Sequence, residues 1–571
     1  MKSPYSLCSV LITFITLFSI NIYAVVDMRT ANFSKSFLDI HVKGNGLDLS
    51  IKRTYNSRSV FNSIFGYGWC SDYETTLAIN SDSSILVTEC GGGLESLYKN
   101  SFFKQKDILK VNDQIVKEVK NRNPDLSSKY LSDLRTKLKT NSFLREEFAK
   151  NLNIKGQAVS SSKYIIDGRK NEYVIKKNNL FTRYLKNGIK QEFNLKGQLV
   201  RTVDKNKYLL NIKRKNNLIS EVSDNNGRRL LFYYNKNLKK VIKLKGSNGE
   251  TSSYSYRGND LIKSTNSSSV SLSYKYDSQH NLTRITYPNK TFVSVSYNLS
   301  KDWATSFINK KKCKETYNYG EDKKNPLDHY WSQVIKKCKN KITHQAKYEF
   351  FHKTRKNGSR YLYRSRFKVN ALYTEITYHS KFGRPVKIQK GSRILKLKYN
   401  IIGQIILKDE ISKTTSYKYN KQCNTVSKTK ERFFVYTPKK SKKKTRKLAY
   451  VKKERHKINS SFKYNKACNI FFAKNSDGLT AKVRYDNNSR IREITDHTRK
   501  NIIVSYDHRF GKPSKITRPG LGTLNISYTN SGKIKPSKKT GPSPFVANQI
   551  TQTFNNFLQV ISPVSTQNKT L

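Results

Sequence analysis

The chain has 571 residues, with 110 Lys+Arg against 40 Asp+Glu, a formal net charge of +70 and 36% hydrophobic residues, below the roughly 45–50% of ordinary globular proteins. Aromatic residues still make up 12%, including 36 Tyr and 28 Phe; disordered basic chains lack such rings, so this one has a core and much of it is tyrosine. Its 26 Gly and 12 Pro exclude collagen-like and proline-rich fibres.

The first element is a targeting segment. Lys2 precedes an apolar run from Leu11 to Ile22, too short for a bilayer core of about 30 Å, and Ile22-Tyr23-Ala24 ends on a small residue. Residues 1–24 read as a cleaved signal peptide, with no transmembrane segment after its removal. Residues 25–110 form an N-terminal β region. Within it, Leu47–Ser59 alternates like a strand and leads to Phe65-Gly66-Tyr67-Gly68-Trp69, where Gly66 and Gly68 let the backbone turn while Trp69 packs inward. Residues 111–150 change to helical spacing (Ile115 and Val119; Leu131, Leu134 and Leu138; Leu144 and Phe148). This predicts a small helical insertion, with Asn123-Pro124 as an N-cap followed by proline at the first helical position.

Residues 151–530 carry a recurrent phrase: an aromatic or β-branched residue, any residue, Tyr, then Asp or Asn and a polar turn. It occurs at Tyr254/Tyr256, Tyr274/Tyr276, Tyr417/Tyr419, Phe462/Tyr464, Val483/Tyr485, Val504/Tyr506 and Ile526/Tyr528, and Tyr399 belongs to the same series. Tyr256 to Tyr276 is 20 residues, Tyr464 to Tyr485 is 21 and Tyr506 to Tyr528 is 22; a fixed period is the signature of a repeat architecture. Each unit reads as a β-hairpin, with Asp277, Asp486 or Asp507 closing its turn. Both residues of the pair share one face because strand side chains alternate. Stacked hairpins then have a tyrosine-rich inner face and a cationic outer face. One unit is interrupted by Lys439, Lys440, Lys442, Lys443, Lys444, Arg446 and Lys447, a like-charge block that stays solvated. Residues 531–571 read as a C-terminal tail.

Beyond Cys8 there are six cysteines, which allow 15 connectivities. Spacing suggests Cys70 with Cys90 and Cys313 with Cys338, each pair facing across one hairpin. Cys423 and Cys468 lie in matching contexts. Equivalent positions of adjacent hairpins are about 9–10 Å apart, beyond the roughly 7 Å limit for a bridge, so no disulfide is expected there unless the intervening chain loops out.

The Leu47–Trp69 phrase, followed by Tyr-Asp units of 20–22-residue period, resembles the bacterial RHS/YD-repeat family. The resemblance runs over about residues 40–530. It implies an all-β protein, repeated β-hairpins in a sheet that spirals into a shell or barrel; the few recognisable hairpins point to an open or partly closed YD-shell, interrupted by the small α-helical insertion. Tyr55, Gly66, Gly68, Trp69, Tyr256, Tyr276, Tyr399, Tyr419, Tyr464, Tyr485 and Tyr506 would define that fold. Toxin-bearing relatives carry an Asp-Pro-x-x-Gly-type junction and a toxin domain after the repeats; a short member without one is expected here.

No zinc-protease, phosphate-loop, nucleophile-elbow or EF-hand motif occurs, and the nine His are scattered. Asp277, Asp486 and Asp507 read as turn formers rather than paired catalytic carboxylates. The expectation is a non-enzymatic protein without cofactor or metal, secreted or held in the cell envelope. Its cationic face would contact anionic polysaccharide or lipopolysaccharide through the Lys439–Lys447 run, with unspecific DNA binding as a by-product. The alternative is a shell component that shields or delivers a separately encoded toxin cargo; a glycan-active enzyme is a third class.

Overall fold

Alternation sets the strands. In Thr251–Arg257 the side chains of Ser252 and Tyr254 are buried while Thr251, Ser253 and Ser255 are exposed, and the same two-residue rhythm recurs around the molecule. The computed structural model describes residues 25–90, 93–100, 104–185, 188–356, 358–438, 450–529, 532–535 and 544–565. The expected signal peptide and the Lys439–Lys447 run lie outside the described residues.

Thirty-five strands, the first Thr76–Ile79 and the last Gly522–Asn525, make one long antiparallel sheet. Many units, such as Lys163–Ile166 with Arg169–Lys177, lack the tyrosine phrase and so escape a count of repeats. Strands that follow in sequence pair with each other. Glu95–Asn100 pairs directly with Lys163–Ile166, Lys99 opposite Ile165, so the insertion leaves the ladder unbroken. The first strand also meets a later turn: the Leu77 N–H donates to the Gly197 carbonyl at 2.8 Å, and Thr76 bridges Gln198. Gly197 has φ +73°, and a Cβ there would lie 1.8 Å from the Leu77 oxygen; only glycine permits that approach.

The N-terminal β region therefore divides. Val25–Asp27, Asn32–Val42, Leu49–Asn56 and Trp69–Cys70 form a separate four-stranded sheet, whereas Thr76–Ile79, Ile85–Thr88 and Glu95–Asn100 belong to the long sheet, the wall. The insertion is three helices, α1 (Gln105–Arg122), α2 (Ser128–Thr140) and α3 (Ser142–Asn151). They close a small core on Ile115, Leu138 and Ala149. Asn123-Pro124 ends α1 rather than starting a helix: the Asn123 N–H bonds back to Val119 and Lys120, and a proline cannot continue the ladder. The cap of α2 is Ser127, whose side chain accepts from the Tyr130 N–H.

Within 531–571 the structure has a helix rather than only a tail. α4 (Pro544–Ser565) lies against the wall strands from Ile470–Asn475 to Gly522–Asn525, and its Val546, Ile550, Phe557 and Val560 share one apolar cluster with wall residues from Leu397 to Ile516. The N-terminal sheet covers the same tyrosine-bearing face of the wall farther back, from Leu199 to Ala346. Both covers bury apolar area, the main favourable term in folding.

Candidate functional site

The tyrosines of the repeat have a common task. Along the wall the second member of the pair repeatedly stands at a β-bulge: Tyr256 opposite Leu261, Tyr276 opposite Leu282, Tyr399 opposite Ile405, Tyr485 opposite Ile491. A bulge leaves ladder groups unpaired. The hydroxyl of the next tyrosine donates to the carbonyl at the bulge: Tyr276 to Leu261 at 2.9 Å, Tyr297 to Leu282 at 3.1 Å, Tyr419 to Ile405 at 2.6 Å, Tyr506 to Ile491 at 2.7 Å. Tyr256, Tyr399, Tyr464 and Tyr485 make the same bond to Val241, Pro385, Val426 and Ile470. Burial pushes the Tyr485 phenol up to about 12, so these hydroxyls stay protonated donors.

The N-terminal sheet is fixed to this wall by charge. Leu49–Asn56 points Leu49, Ile51, Arg53 and Tyr55 the same way, all buried. Arg53 is fully buried. Its guanidinium donates to Asp39 at 2.8 and 3.3 Å, to Ser264 at 3.1 Å and to Tyr274 at 3.0 Å, and it lies 4.1 Å from the Trp69 ring centroid. Tyr254 donates to Asp39 at 2.9 Å. Burial works against the Arg53 charge, but Asp39 and Tyr274 beside it hold its pKa well above the ordinary value. Arg228 reaches the other way, from a wall turn to the carbonyls of Val42 (2.9 Å) and Leu47 (2.7 Å), with Asp224 at 2.7 Å. The Trp69 N–H donates to the Tyr276 hydroxyl at 2.9 Å, and the Tyr55 hydroxyl accepts from the Leu282 N–H at 2.8 Å. Gly68, at φ +72°, leaves room for the Tyr55 ring, which a Cβ would approach to 2.7 Å. Gly66 abuts the Asn259 carbonyl.

Glu74 is the buried acid of the junction. Its oxygens accept from the Ile64 and Ser71 N–H groups at 3.0 and 2.9 Å. Burial pushes its carboxyl up to about 7 against these bonds and the nearby Lys240. Lys240 donates to the Ser63 carbonyl and the Asn62 side chain.

Three disulfides are formed: Cys70–Cys90, Cys313–Cys338 and Cys423–Cys468. The third corrects the expectation from spacing, with Cα atoms 5.4 Å apart. The two turns look alike in sequence but differ in length. Asn420 closes on Thr425, whereas Asn465 closes on Asn469. The left-handed residue is Asn424 in the first and Cys468 in the second. The cysteines are thus offset, not equivalent, and the distance rule does not govern them.

Asp277, Asp486 and Asp507 accept backbone N–H groups of their own turns. His280 lies 2.9 Å from Asp260, and burial lowers His352 to about 4. Among the described residues no group of three His, Cys, Asp or Glu is placed to hold a metal, and no helix is long and apolar enough to cross a membrane. Sequence reading passed over Arg53 and Asp39. Their signal was a charged residue at an inward position of an alternating strand.

The opposite face of the wall is cationic, and at several places like charges oppose each other. Lys275 stands directly across from Arg284, Lys387 from Lys396, Lys418 from Lys428 and Arg432 from Lys457. Around Lys418 and Lys428 this face holds a groove of about 770 Å³ whose charged lining is five lysines and no acid.

Residues 254–291 match the RHS Repeat family and residues 24–95 match DUF6531, a domain of unknown function. No curated protein matches the chain. Among solved structures the chain is similar to a Photorhabdus luminescens Tc holotoxin pore carrying a TccC3 mutation, at 9% identity over 87% of this chain and 31% of that one, TM-score 0.28. It is also similar to TcdB2-TccC3 without its hypervariable C-terminal region, at 8% identity over 91% and 33%, TM-score 0.27. The chain spans about a third of the length of the solved chains it matches. The chain thus carries an RHS repeat at 254–291, and the same bulge-and-tyrosine unit recurs on both sides of it.

Proposed function

We propose that the chain is an exported, non-enzymatic RHS-type wall whose tyrosine face shelters polypeptide. The carrying observation is a band of that face whose apolar side chains stay half-exposed among the described residues. Between the part under the N-terminal sheet and the part under α4, the cross-strand row Ser365, Ile376, Ile388, Leu395 includes three apolar side chains that stay half-exposed, whereas most apolar residues on this face elsewhere are buried. Export is supported by the signal-like residues 1–24 and by three disulfides, which persist in oxidising compartments.

A photoreactive side chain at Ile388, in the chain purified from its own host, tests the reading. Cross-links to peptides foreign to this chain are expected. Cross-links only within the chain, or none, would overturn it.

A second reading, contact with anionic glycans at the cell envelope or outside it, is favoured by the opposed cations of the other face. Like charges directly across a sheet are destabilising, and an anion between them removes that cost.

A further inference from the structure

We propose that the lysine groove on the outer face of strands Lys413–Tyr419, Val426–Pro438, Tyr450–Tyr464 and Ile470–Asn475 is a binding site for an acidic polysaccharide. The inference rests on the glycan reading above and assigns it a place.

Alternation puts Lys418, Lys428, Lys430, Lys463 and Lys474 on the outward side of four neighbouring strands, and all five line the groove. Lys418 directly opposes Lys428; Lys428 is followed across the sheet by Ser461 and then Lys474. Among the described residues none of the five has an ion-pair partner, while lysines elsewhere on the wall do: Lys213 has Glu221 and Lys336 has Glu315. Just beyond the groove Arg432 opposes Lys457, and these two cations push the Lys430 ammonium below its ordinary value. An unoccupied groove of this kind carries uncompensated repulsion, and a multivalent anion relieves it at several points at once.

The lining between the cations decides the class of anion. Ser416, Ser461 and Asn459 place hydroxyl and amide groups among the lysines, donors and acceptors suited to sugar hydroxyls. Among the described lining residues there is no arginine fork, which favours bidentate phosphate contact, and the one ring, Phe462, is buried. Single-stranded nucleic acid binding relies on exposed aromatic platforms, and duplex readout on Arg, Asn and Gln at base edges. The chemistry favours a carboxylated or sulfated sugar chain over a nucleic acid.

The experiment compares wild type, the variant Lys418→Gln/Lys428→Gln/Lys474→Gln, and a control of equal charge loss elsewhere on the outer face, Lys243→Gln/Lys245→Gln/Lys263→Gln. Each is titrated with polygalacturonate, dextran sulfate, neutral dextran and duplex DNA over a salt series. At about 150 mM salt, where exposed charges are screened beyond roughly 8 Å, the groove variant should bind the acidic polysaccharides about tenfold more weakly, and the control within about twofold of wild type. Thermal midpoints report folding, and the groove variant should melt no lower than wild type because an opposed pair is relieved. Equal losses in groove variant and control would overturn the site and leave the glycan reading standing. Absence of binding by wild type at every salt would overturn both. Duplex DNA held as tightly as polygalacturonate, with the same loss in the groove variant, would overturn the assignment to a glycan.

Discussion

Tyr464 donates its hydroxyl to the carbonyl of Val426, thirty-eight residues earlier, at 2.7 Å, the bond that Tyr485 makes to Ile470 across fifteen. The long hairpin of Val426–Pro438 and Tyr450–Tyr464 has thus been lengthened outward from one unit without disturbing the bond between units. The apparent gap in the repeat is an elongated strand pair, and the tyrosine rule passes through it.

If that bond satisfies a carbonyl which the bulge leaves over, removing the hydroxyl leaves the acceptor unmet. Tyr276→Phe and Tyr485→Phe should each lower unfolding stability by about 1–2 kcal/mol, read as the shift of the denaturant midpoint. Tyr233→Phe, on the exposed face, should leave it unchanged. A loss no larger in the first two than in the third would remove the role assigned to the ladder.

Breaking a buried ion pair from one side strands the other charge. Arg53→Met should cost about 3–5 kcal/mol, because Asp39 at 3% exposure would keep only its Tyr254 partner among side chains. Arg53→Lys should recover little, since an ammonium does not reproduce the fork that meets Asp39, Ser264 and Tyr274 together. Proteolysis should then open the N-terminal sheet before the wall.

Glu74 makes a signed pH prediction. Its carboxyl is raised from 4.5 to about 7 in the folded chain, so between those values the native state binds more protons than the unfolded state. Stability from this group is then fully present below about pH 4.5 and falls as pH rises through 7. Relative to Glu74→Gln, wild type should lose about 3 kcal/mol between pH 4 and pH 8. A difference that is flat with pH, or of opposite slope, would show that the carboxylate is well solvated.

For the Cys423–Cys468 bridge, non-reducing peptide mapping should recover a linked peptide pair containing both residues. Replacing both by Ser should cost about 4 kcal/mol in the chain-entropy account, for a closed loop of 45 residues.

Much of the wall was legible because strand alternation and the tyrosine period are local. Tyr276 and Tyr506 could be placed on one face from two-residue spacing alone. The full length of the wall was not legible, since it depends on how many hairpins without the tyrosine phrase, such as Leu180–Tyr184 with Lys190–Asn194, take part. α4 was available in principle: Val546, Ile550, Phe554, Phe557 and Ile561 recur at helical spacing, yet short polar stretches around them read as a tail. Arg53 and Asp39 escaped because their partners on the wall are 211 to 221 residues away, and no window along the chain contains both ends of such a bond.

That separation has a consequence in time. Arg53 meets Tyr274 across 221 residues, and at roughly 5–20 residues per second of synthesis the interval between their emergence is about 10–45 s. The Asn45 N–H waits longer still, for the Arg509 carbonyl. For that period the first-made sheet has an apolar side and a buried-type charge pair with nothing to lie against. A sheet translated early is finished only after the strands around Tyr274 and Arg509 have emerged, which favours a chain kept extended over that stretch.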